Sequence, residues 1–167
     1  MSLRHFFGHV VGESHRNADG SDRQTIIPRC QVGELLVLEH EPDNPHDINA
    51  IRVLRQNGEQ IGYLEREFAG EVVSRSAKGW QYHAVVAGIG RSRRSALYGV
   101  SLLLIVDGDG ASDEEVMAYA REVLSQDRRV EAATPGEPDH AGTATWLLMG
   151  ALVAAALAII AIVAAWR

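Results

Sequence analysis

The chain has little cysteine, little apolar sequence near Met1 of the kind a secretory leader needs, no catalytic signature and no excess of positive charge over its main body. Its 167 residues include one cysteine, Cys30. A single thiol cannot close an internal disulfide, and it excludes a multi-cysteine zinc site. This usage suits a reducing compartment. Beyond Met1 and Leu3, residues 1–11 offer only Phe6, Phe7, Val10 and Val11 as a short apolar group, set among Arg4, His5 and His9. That is too little for a leader peptide.

No Walker A sequence, Gly-x-Ser-x-Gly elbow or Cys–His arrangement occurs, so an enzyme is not expected. The seven histidines show no ligand spacing. Asp107-Gly-Asp109-Gly begins like a calcium loop, but the sixth and twelfth places hold Ser112 and Ala118 rather than Gly and Glu. Neither a metal nor a cofactor is expected.

Charge is unevenly spread. Residues 1–106 carry 12 Lys/Arg and 12 Asp/Glu, net zero. Residues 107–141 carry 3 and 10, net −7, and Arg167 brings the total to −6. A neutral body lacks the field of a strong non-specific nucleic-acid binder, although a local basic site is compatible with it.

One feature is present in excess. Residues 146–166 read WLLMGALVAAALAIIAIVAAW, 21 positions without a charged, Asn, Gln, Ser, Thr or Pro residue. A bilayer core of about 30 Å takes about 20 helical residues. Trp146 and Trp166 bracket the run, where indoles favour the headgroup level. A single transmembrane helix is expected, acting as a tail anchor with residues 1–140 on the cytoplasmic side. Gly150, Ala154 and Ala158 form a ladder of small residues that would suit pairing of two such helices in a homodimer.

The remainder predicts a mainly β fold. Short apolar or alternating runs fall at 6–12, 25–30, 34–41, 50–56, 59–64, 80–90 and 96–106. Pro28 marks the second as an edge or bulge. Asn57-Gly58 predicts a type I′ hairpin. Residues 65–78 place Phe68, Val72 and Val73 on one helical face, ending at Gly79. About seven strands and one inserted helix favour a small closed or half-open barrel over 1–106. Ser112 and Glu115 form a capping-box pattern before an acidic amphipathic helix at about 113–131, lying on the barrel or on another chain. The segment 107–133 is followed by a linker at 134–145.

The most informative stretch is 41–64, EPDNPHDINAIRVLRQNGEQIGYL. Pro42 and Pro45 bar a helix. Asn44, Asp47 and Asn49 can bond nearby backbone amides, so a rigid turn forms here in any case. Three segments together resemble the HIRAN family. They are Val10-Val11-Gly12, then Glu41-Pro42-x-Asn44-Pro45-x-Asp47-x-Asn49-Ala50-Ile51-Arg52-Val53, then Gly58-x-x-Ile61-Gly62-Tyr63-Leu64 with Ala69. The resemblance covers roughly 6–106. It implies an OB-like β-barrel of the kind found in fork-remodelling helicase-like ATPases and in bacterial proteins. It also implies binding of the 3′ end of single-stranded DNA.

By that resemblance Asn44 and Asp47 match polar residues that hold the terminal hydroxyl, and Tyr63 and Arg66 match positions that contact the strand. His46 stands where the family often has Tyr. Glu13-Ser14-His15-Arg16 stands where it often has an Arg-Tyr pair, so His15 and Arg16 are the candidates there. Arg93 and Arg94 lie in a loop near the family's DNA groove; they are either phosphate contacts or a solvated hairpin tip. Two readings stay open. The first is a membrane-anchored, non-catalytic module for 3′-hydroxyl ends of single-stranded DNA. The second is a membrane-tethered scaffold for a protein partner, whose barrel has lost DNA binding.

Overall fold

The computed structural model describes residues 3–91 and 96–133. Arg93, Arg94, the expected linker 134–145 and the expected span 146–166 lie outside them. Among the described residues no helix is long and apolar enough to cross a membrane.

The elements, in chain order, are β1 Arg4–Val11, α1 Arg23–Ile26 with a 3-10 turn Ile27–Arg29, β2 Leu35–His40, β3 Ile51–Arg55 and β4 Gln60–Leu64. They continue with α2 Arg66–Ser76, β5 Gln81–Arg91, β6 Tyr98–Asp107 and α3 Asp113–Ala133. The strands form a closed barrel in the order β1-β4-β3-β2-β5-β6. Every pairing is antiparallel, and β6 closes the barrel against β1 from Arg4↔Val106 to His9↔Ser101. Among the described residues, closure leaves no sheet edge to pair with other chains.

Alternation sets which side chains point inward. In β1, Phe6 and Val10 reach the core while Phe7, His9 and Val11 face out. Val10, Val53, Ile61, Val86, Leu102 and Leu104 fill the interior, each at most 2% exposed. Fully burying one such side chain contributes about 1.5–3 kcal/mol. Residues 102–106 read LLLIV without alternation because β6 is buried on both faces. Leu102 and Leu104 point into the barrel, while Leu103 and Ile105 meet Val116, Ala120 and Val123 of α3 outside it. The acidic helix therefore lies on the barrel.

Two sequence expectations need correction. Residues 25–30 are not a strand. The Asp22 side chain accepts the Gln24 N–H at 2.9 Å and caps a helical turn, and Pro28 sits in the first turn of the 3-10 segment. Arg23, Ile26, Ile27 and Cys30 are buried, a spacing of three and four that fits a helix closing one end of the core. The barrel thus has six strands rather than seven. Burial, followed by the charge of Glu34, pushes the Cys30 thiol up to about 11, so it stays protonated.

The second correction concerns Asn57-Gly58. A type I′ turn needs positive φ at both central residues, yet only Gly58 has it, at 84°. Gly58 N–H donates to the Arg55 carbonyl at 2.9 Å, and Arg55 N–H donates to that of Glu59 at 2.9 Å. This is a three-residue loop with glycine in the left-handed position.

Candidate functional site

The turn between β2 and β3 is built from its own side chains. Glu41 N–H donates to the Ala50 carbonyl at 2.8 Å, and Ala50 N–H to that of Asp47 at 2.9 Å. Asn44 Oδ1 accepts the N–H of His46 at 2.9 Å and of Asp47 at 3.2 Å. Asp47 Oδ1 accepts the N–H of Asn49 at 2.9 Å. These bonds serve a backbone that the two prolines keep out of regular structure. The turn is rigid and its polar side chains are fixed in direction.

Beside it, β4 meets β1 at unusually close range. Gly62 has φ +155°, and a Cβ there would come 2.3 Å from Val10 Cγ1 and 2.6 Å from the Val11 carbonyl oxygen. Only glycine fits. The pairing Val11↔Tyr63 follows, so Tyr63 stands on the outer face next to the turn. Arg66 opens α2 on the far side.

These parts enclose a pocket of about 460 Å³. Its polar lining is His15, Asn44, His46, Asp47, Tyr63 and Arg66, and Val11, Ala50, Leu64 and Ala69 form its apolar wall. Six of the nine residues singled out in the sequence meet here, from segments up to 51 positions apart (15 to 66). Arg66 Nε pairs with Asp47 Oδ2 at 3.0 Å, and its side chain is 76% exposed at the mouth. Asp47 is largely covered, at 19%.

Arg16 is not part of this pocket. It donates to the Gly20 carbonyl at 3.1 Å and faces Asp22 at 3.9 Å, within its own loop. Arg93 and Arg94 lie outside the described residues. Nearby, Arg91 stacks over Tyr98 at 5.3 Å and lines a second hollow of about 490 Å³ with His9, Glu13, Ser14 and Ser101. His9 and Val11 share the outer face of β1, so the two hollows neighbour each other across the loop that carries Ser14 and His15.

Sequence reading missed two participants. Arg23 is buried, its guanidinium 5.2 Å from the centre of the Tyr63 ring. It donates to Asn17 Oδ1 at 2.6 Å and to the Gly12 carbonyl at 2.8 Å. Glu41 Oε2 accepts Asn44 Nδ2 at 2.7 Å and the Tyr63 hydroxyl at 3.1 Å. The Asn44 bond, against burial and aided by Tyr63, holds the Glu41 carboxyl below its ordinary range. Glu41 stood inside the recognised motif, whereas no local signal marked Arg23.

Residues 3–102 match the model of the family described as the HIRAN domain. The chain belongs to the HIRAN domain family. The curated relatives it matches are helicase-like transcription factors. That of Oryctolagus cuniculus is 53% identical over 36 residues, 22% of this chain and 4% of the relative. That of Mus musculus is 49% identical over 39 residues, 23% of this chain and 4% of the relative. The chain thus spans about 4% of the length of these relatives. Among solved structures, the HIRAN domain of human HLTF is similar at 25% identity and a TM-score of 0.46, over 80% of this chain and 93% of that one. A protein from Lactobacillus plantarum is similar at 20% identity and a TM-score of 0.49, over 64% of this chain and 98% of that one. The HIRAN match ends before α3, so the helix on the barrel lies outside the matched region.

Proposed function

We propose that this HIRAN domain is a non-catalytic nucleic-acid-binding module whose pocket receives the 3′-hydroxyl end of a DNA single strand. The observation that carries this reading is the convergence of Asn44, His46, Asp47 and Tyr63 with His15 and Arg66 in one pocket. Asp47 offers acceptor oxygens to a terminal hydroxyl. Tyr63, His15 and His46 offer ring faces to the last bases, and Arg66 at the mouth suits a phosphate. The Arg91–Tyr98 stack beside the neighbouring hollow suits the strand further along.

The reading is tested by titrating the full chain, in detergent, into a labelled linear strand and into a closed circle of the same sequence. The linear strand is expected to bind at least about tenfold more tightly, a preference lost in Asp47→Ala. Equal binding to both forms would remove the end from the account.

Residues 146–166 further support a tether of this module to a membrane by one C-terminal helix, with the barrel on the cytoplasmic side. A second reading, a scaffold for a protein partner, is favoured by the zero net charge of residues 1–106. The two separate by salt: phosphate contacts weaken as salt rises because binding releases counterions. Absence of any DNA binding at low salt would favour the scaffold.

A further inference from the structure

Glu41 lies directly after β2 and behind the pocket, and what it does there is a matter of counting protons. Its Oε2 receives both the Asn44 amide, at 2.7 Å, and the Tyr63 hydroxyl, at 3.1 Å. A carboxylate only accepts, so the phenol is the donor. Tyr63 has a single hydroxyl proton, and Glu41 takes it. What the phenol oxygen has left to offer is lone pairs.

Asn44 is constrained in the opposite sense. Its Oδ1 is occupied by the N–H groups of His46 and Asp47, and of its two amide protons one goes to Glu41, which leaves it a donor. Asp47 adds a carboxylate, paired to Arg66 through Oδ2 and to Asn49 N–H through Oδ1. Around Tyr63 and Asp47 the pocket therefore presents acceptors. A hydroxyl end brings a proton to them. A phosphate end brings only more lone pairs and negative charge, and buried acceptors facing acceptors are costly.

We propose that Glu41 is the positioning residue that sets this pocket's selectivity for a hydroxyl end over a phosphate end, because it takes the Tyr63 proton and fixes the phenol oxygen as an acceptor. The proposal rests on the end-binding reading above. Glu41 acts through Tyr63 and Asn44 and does not itself line the pocket.

In Glu41→Ala no oxygen remains to accept from Tyr63 or from Asn44. The Tyr63 proton is then free to turn toward the pocket, where a phosphate oxygen can accept it. The experiment measures the affinities of full-length wild type, Glu41→Ala and Tyr63→Phe, in detergent, for one strand ending in 3′-hydroxyl and for the same strand ending in 3′-phosphate. Wild type is expected to prefer the hydroxyl. In Glu41→Ala the ratio falls about tenfold, chiefly by a gain at the phosphate end. In Tyr63→Phe it falls by a loss at the hydroxyl end alone.

A merely structural Glu41 would weaken both ends alike and leave the ratio where it was, which overturns the proposal. Should Glu41→Ala not fold, Tyr63→Phe decides, since its ring keeps the same packing; an unchanged ratio there overturns the proposal as well. Wild type that binds neither end, or both equally, removes the end-binding reading itself. Wild type that discriminates beside variants that discriminate equally removes only the role of Glu41.

Discussion

At the residue scale, Gly62 is where one added carbon costs most. A Cβ would lie 2.3 Å from Val10 Cγ1 and 2.6 Å from the Val11 oxygen, at a φ of +155° that L side chains avoid. Neither strand can yield without opening the β1–β4 pairing that places Tyr63. Gly62→Ala is expected to lower unfolding stability by more than about 3 kcal/mol in urea titration. A loss below about 1 kcal/mol would show that the strands can separate there cheaply. The residues that sequence reading found and those it missed differ in the range of their bonds. Asn44 and Asp47 were legible because their partners lie two or three positions away in a Pro-fixed turn. Arg23 reaches Tyr63, forty positions on, through a tertiary contact with no local trace. Arg16 was legible as a charge, but its own loop holds it away from the pocket.

At the element scale, the junction between β6 and α3 depends on Asp107. Its buried carboxylate accepts the backbone N–H groups of Asp109 at 2.8 Å, Gly110 at 3.2 Å and Ala111. Burial pushes its pKa up, but the three donors outweigh that and hold it below the ordinary value. A carboxyl depressed on folding stabilises above its unfolded pKa, near 4, and loses that contribution as pH falls through the folded value. Asp107→Asn is therefore expected to cost about 1–2 kcal/mol at pH 7 and less at pH 3, below the unfolded pKa. Urea titrations of both proteins at the two pH values check this; a constant difference would mean that the charge is irrelevant. The capping box at Ser112 and Glu115 was legible because it spans three residues, and both of its bonds form. The segment 25–30 was misread because two adjacent isoleucines suit either period. Only the Asp22 cap and the burial of Arg23 and Cys30 decide for a helix.

At the scale of the whole molecule, alternation along the strands carried the barrel, whereas the two-sided burial of β6 shows only once α3 is seen against Leu103 and Ile105. Closure between β1 and β6 was not readable, since it pairs residues about 100 positions apart, from Arg4↔Val106 to His9↔Ser101. The apolar run 146–166 is a whole-molecule property with its own test. Cell membranes washed in alkaline carbonate should retain the full chain and release one truncated at residue 133. Release of both would leave the module untethered. The central claim is that a 3′ end sits in the pocket of Asn44, Asp47 and Tyr63. The most direct measurement is photocrosslinking from a thiothymidine at the 3′ terminus of a single strand, with the attached peptide identified by mass spectrometry. Crosslinks are expected on peptides that carry His15, His46 or Tyr63, suppressed by excess unlabelled strand. Crosslinks confined to other faces of the barrel, or equally strong from a thiothymidine at the 5′ terminus, would contradict it.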